Sequence, residues 1–205
     1  MHMTNHAKEL EAAAKDINLE SLQAAKDAIA ASCAEYVRWA DLFSCRLESV
    51  DPGELHKFTR ALALTLLGHL PTRPGTCPFC IQYDRDRACT GCGYAATHGR
   101  CDAEDSAFSL FIEAFQELGR AIYQDTGKLC CSPHDARMHL NLFLKVSREV
   151  AMKLQEDLPP AGAERLMELK AAYLDTMIWL LPVLLLSKEV QERSLLVRWM
   201  LLNYW

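Results

Sequence analysis

Between Cys77 and Cys101 the chain places five of its nine cysteines, together with His98, within 25 residues. The segment reads as two Cys-x-x-Cys pairs, Cys77/Cys80 and Cys89/Cys92, separated by eight residues, with eight more leading to Cys101. It is polar and rich in turn residues, so by itself it predicts neither a helix nor a sheet with its own core. An ion held by thiolates is the physical means of ordering such a stretch.

Everything outside that segment reads as helix. Asn18 is placed to cap a long helix to about Glu48, on which Leu22, Ile29, Tyr36 and Phe43 recur every seven residues and Cys33, Ala40 and Leu47 complete one apolar seam. Cys33 on that seam reads as a small core hydrophobe. Before it, Thr4 or Asn5 is expected to cap a short helix through Lys15. Asp51-Pro52-Gly53-Glu54 is a start signal for a helix burying Leu55, Phe58, Leu62, Leu66 and Leu70 and stopping at Pro71 and Pro74. His56 and His69 on it read as solvated or core histidines, because neither has a ligand-type partner at i+3 or i+4.

After the cysteines, acidic residues 102 to 105 are expected to start a helix with the stripe Phe108, Phe111, Phe115, Leu118 and Ile122, ended by Gly127. Ser132-Pro133 opens another, through Leu158, terminated by Pro159-Pro160. From Ala161 the pattern is helical again, and Pro182 is expected to kink it. The last helix, from about Glu189 to Tyr204, is apolar nearly all round. Its candidate role beyond packing is a subunit interface or a surface for a protein partner. No alternating strand pattern, fixed-period repeat or low-complexity linker occurs. The expectation is therefore an all-α chain: residues 1–205 as one helical bundle of six to seven helices, with a zinc-knuckle-like loop inserted at about 71–104.

In a tetrahedral zinc site, each Cys-x-x-Cys turn presents two sulfurs on one side of a knuckle. Pro78 stiffens the first turn, and Gly91 and Gly93 flank Cys92 in the second, allowing backbone N–H groups to turn toward sulfur. Over about 16 residues these turns resemble the knuckles of zinc ribbons and rubredoxin-like sites, with Ile81 where a glycine usually follows the first. The simplest ligand set is Cys77, Cys80, Cys89 and Cys92, with His98 and Cys101 as alternates to the second pair. Zinc is the expected ion. An iron-sulfur cluster is the alternative, although the spacing differs from the ferredoxin run. Cys130, Cys131 and His134, with His139 beyond them, form a weaker second constellation suited to soft ions or oxidation.

Net charge is −5, which argues against nucleic acid as the main partner. Arg85, Arg87 and Arg100 near Tyr83 and Tyr94 are interleaved with Asp84 and Asp86, as in a solvated loop. The amino terminus lacks the apolar stretch of a secretory signal, and the longest apolar run, Met177 to Leu186, is half of what a bilayer needs. A cytoplasmic location with reduced thiols is the expectation. The chain has no Glu-x-x-His pair, His-Glu-x-x-His motif, phosphate loop or dinucleotide fingerprint. The reading leans away from an enzyme, toward a non-catalytic accessory or regulatory protein with structural zinc. A thiol or iron-sulfur redox protein and a soft-metal or small-molecule sensor are the alternatives.

Overall fold

The computed structural model describes residues 3–83 and 89–202, with side chains from residue 8 onward. Among them are nine α-helices and no strand: α1 (Met3–Ala14), α2 (Leu19–Leu47), α3 (Leu55–His69), α4 (Pro78–Tyr83), α5 (Gly93–His98), α6 (Ala107–Gln124), α7 (Pro133–Asp157), α8 (Ala163–Leu180) and α9 (Lys188–Leu202). Short 3-10 turns precede α3 (Pro52–Glu54) and α4 (Pro74–Thr76) and join α8 to α9 (Pro182–Leu185).

Caps account for most of the helix starts. The Asn18 side chain accepts from the Ser21 amide at 2.8 Å, Asp51 from Gly53 at 2.7 Å, and Ser132 from Asp135 at 3.2 Å. Each satisfies a donor that the first helical turn leaves open. At α6 the cap is Ser106, accepting from Ser109 at 3.0 Å, rather than the acidic residues 102 to 105. The same helix ends at Gln124, three residues before Gly127, because the Asp125 backbone turns extended there. Thr4 and Asn5 lie inside α1, which begins at Met3.

Pro182 terminates α8 instead of kinking it. Leu181, the residue before it, adopts φ −48° and ψ 129°, as crowding by the proline ring demands. The apolar run from Met177 to Leu186 is thereby divided between the end of α8 and a 3-10 turn. No described helix is long and apolar enough to cross a membrane.

The predicted seam on α2 is buried: Ile29, Cys33, Tyr36, Ala40 and Leu47 are at most 1 % exposed. It packs along α7, and α3 and α4 lean on the same helix. Tyr36 donates to the Ser147 hydroxyl at 2.6 Å, a polar tie inside this contact. Phe43, at the end of the seam, is only half-buried and meets Phe58 edge-on at 5.2 Å. The helix pairs α6/α9 and α7/α8 complete the bundle.

The cysteine-bearing segment departs most from expectation. It carries two helices, α4 and α5, and it contributes to the core: Phe79 is fully buried and Tyr94 is 2 % exposed. Burying an aromatic side chain of this size stabilises by about 2–3 kcal/mol before entropy is counted. These two buried aromatic anchors contribute to the packing of the polar segment as helix against α1 and α2. These two helices raise the count above the six to seven expected.

A cysteine-lined junction as the candidate site

Each Cys-x-x-Cys turn feeds a helix. Cys77 directly precedes α4, and Cys80 lies in its first turn; Cys92 is the N-cap of α5. The amides at the helix starts act on sulfur: the Cys80 N–H lowers the pKa of the Cys77 thiol, and the Ala95 and Tyr94 N–H groups lower that of Cys92, although the Cys92 side chain makes no capping hydrogen bond. Such donors favour a negatively charged sulfur.

Cys80 is the thiol on which most of the others act: Cys101, Cys77 and Cys92 all influence its titration. Cys92 in turn senses Cys77 and Cys89. The Cys101 thiol raises that of Cys80 to about 12, and burial adds to this. The bond with Cys80 and burial raise Cys77 as well, opposed by Lys170. For Cys92 burial is the main cause of the upward shift. Without an ion these sulfurs carry protons. No group of three or more His, Cys, Asp or Glu side chains among the described residues is already arranged to hold a metal.

Lys170, on α8, is the neighbour that sequence reasoning missed. It is 3 % exposed, and the groups whose charge acts on its ammonium are Cys77, Cys80 and Cys101. Burial pulls its pKa down, and the thiols push it back up. Lysine on the apolar face of a helix was the available signal: Leu166, Met167, Tyr173 and Leu174 around it are all buried.

Backbone strain lies in the second knuckle. Cys89 has φ 53° and Gly91 φ 81°, so the turn between the first cysteine and Cys92 winds left-handed. Glycine adopts that region freely, whereas for cysteine it costs energy that the surrounding structure must offset. His98 stacks on Tyr94 at 4.5 Å between ring centroids, and its Nδ1 is 2.6 Å from the Thr97 hydroxyl. Arg100 pairs with Asp102 at 2.7 Å on the surface. Asp84, Arg85, Asp86 and Arg87 lie outside the described residues.

The residues of the second constellation have different surroundings. The Cys130 thiol donates to the Leu186 carbonyl at 2.9 Å, tying the α6–α7 connection to the turn before α9. Cys131 is half-buried and borders a different cavity, while His134 and His139 are exposed on α7. Cys33 is a core thiol facing the Tyr173 hydroxyl, and burial lifts its pKa to about 12.

The described residues form an all-helical protein in which the thiols of Cys77, Cys80 and Cys101 act on a buried lysine of α8. No protein-family model, curated protein or solved structure matches the chain.

Proposed function

We propose that this chain is a non-catalytic metal-binding protein in which a structural zinc ion joins the cysteine segment to the helical bundle. The observation that carries the reading is Lys170. An ammonium withdrawn from water is costly unless an opposite charge lies beside it, and its neighbours are sulfurs, not carboxylates. A tetrathiolate zinc centre carries a net charge of about −2 and supplies that partner. Five thiols and the amides aimed at Cys77 and Cys92 fit such a group.

Cys77, Cys80, Cys92 and Cys101 are the ligands this reading favours, because all three others act on Cys80. The second reading takes Cys89 in place of Cys101, on the strength of the Cys-x-x-Cys knuckle and the strained backbone at Cys89. Cobalt substitution separates them. Charge-transfer absorption from four thiolates is expected to survive Cys89→Ser and to fall in Cys101→Ser; the reverse pattern establishes the knuckle set.

The biological role that follows is accessory or regulatory, in a reducing compartment, through contacts with a second copy or a protein partner. Support comes from the carboxy-terminal elements, where Trp179, Leu184, Leu195, Trp199 and Leu202 are each more than half exposed. Exposed large apolar groups concentrated on neighbouring elements mark interaction surfaces.

A further inference from the structure

The chain has a second place where buried chemistry is left unfinished, apart from the Cys77–Cys101 segment. A cavity of about 500 Å³ lies between the start of α3 and the α6–α7 connection, bordered by His56, Lys57, Arg60, Gly127, Lys128 and Cys131. Its volume is that of a small-molecule site. Four of those side chains are basic, and none of the described residues that line the cavity is acidic.

The neighbouring acids are already committed. Asp125, 3 % exposed at its side chain, accepts from the amides of Gly127 at 2.9 Å and Ser187 at 3.1 Å. Asp51 accepts from Gly53, and Glu54 pairs with Lys57 at 2.9 Å on the rim. Arg60 is fixed by donating through Nε to the Ile122 carbonyl at 3.1 Å and through Nη2 to that of Tyr123. The guanidinium is thus held in place by the carboxyl end of α6, with Nη1 left over among the described residues.

His56 supplies the decisive observation. Its side chain is only 10 % exposed, yet Nε2 has no hydrogen-bond partner; the Asp125 carboxylate is 3.6 Å away. Buried polar atoms in folded proteins are paired in the large majority of cases. Gly127 lies beside this nitrogen: a β-carbon there would sit 3.9 Å from Nε2 and 3.0 Å from the Asp125 oxygen.

We propose that this cavity binds a small molecule carrying an oxyanion, phosphate or carboxylate, seated between His56 and Arg60 with Lys57 and Lys128 at its mouth. The imidazole donates one hydrogen bond and the guanidinium a second, while the rim ammonium groups supply attraction that weakens with salt.

Titration calorimetry at low salt with inorganic phosphate, pyrophosphate and citrate, paired with imidazole NMR, tests this. Saturable binding of at least one probe with movement of the His56 resonances is expected, weakened about tenfold or more in Lys57→Glu/Lys128→Glu. Both exchanged residues are exposed, and retained circular dichroism verifies the variant's fold. Preference for the phosphates or for citrate identifies the oxyanion. The proposal is overturned if no probe saturates, if the double variant binds equally well, or if binding leaves His56 unmoved.

Discussion

Gly93 meets Ala13 so closely that a β-carbon added to the glycine would lie 1.8 Å from the alanine's own. This approach joins α5 to α1 immediately after Cys92, so the geometry of the second knuckle and the packing of the amino-terminal helix are set together. Only glycine permits it.

Gly93→Ala is therefore expected to destabilise by about 1–3 kcal/mol, the usual cost of overpacking a fixed contact. Ala13→Gly in the same chain should recover part of that loss. Urea unfolding of the two single variants and the double variant measures both terms.

Asp125 predicts an acid-sensitive joint. Burial alone would raise its pKa, but the Ser187 and Gly127 amides, followed by the charges of His56 and Arg60, bring it below 3.8. Because the folded value is depressed, this stabilisation is present above the unfolded value and is lost as pH falls through the folded one. Asp125→Asn should lower stability at neutral pH by about 1.5–3 kcal/mol. It should also flatten the acid limb of a melting-temperature profile below about pH 4.

The helices were legible because their information is local. The Asn18 and Ser132 caps, the seven-residue recurrence on α2 and the prolines at 159 and 160 act within one or two turns, and the structure follows them. Pro182 ends the helix instead of kinking it because a proline restricts the residue before it, and Leu181 takes the extended conformation that this favours. The cysteine spacing indicated a junction but not its depth. Phe79 and Tyr94 belong to polar, turn-rich stretches, and their burial depends on α1 and α2 arriving from elsewhere in the chain. Lys170 and the approach of His56 to Asp125 are likewise long-range facts. That Cys101 acts on Cys80 could not be read from spacing alone.

Lys170→Met separates the cost of a buried charge from its use. Methionine has a similar length and needs no counter-charge, so the metal-free variant is expected to be at least as stable as the parent. Zinc affinity should fall by about 10- to 100-fold, the usual effect of removing an outer-shell partner. Chelator competition and thermal melts with and without zinc give the two numbers.

The exposed residues near the carboxy terminus predict self-association. Sedimentation equilibrium at high micromolar concentration should show at least a dimer, and Leu195→Glu/Leu202→Glu should return it to monomer. Both residues are more than half exposed, so the helical signal should persist. A monomeric parent removes the interface from the account.

Metal analysis of protein purified without air tests the central claim most directly. About one zinc per chain is expected, lost in Cys80→Ser and retained in Cys131→Ser, with chelation disordering α4 and α5 while most of the helical signal remains. Iron with visible absorption would replace zinc by a cluster. Protein that is folded, reduced and free of any metal, with Cys80→Ser equally stable, would contradict the claim that the thiols beside Lys170 close on an ion.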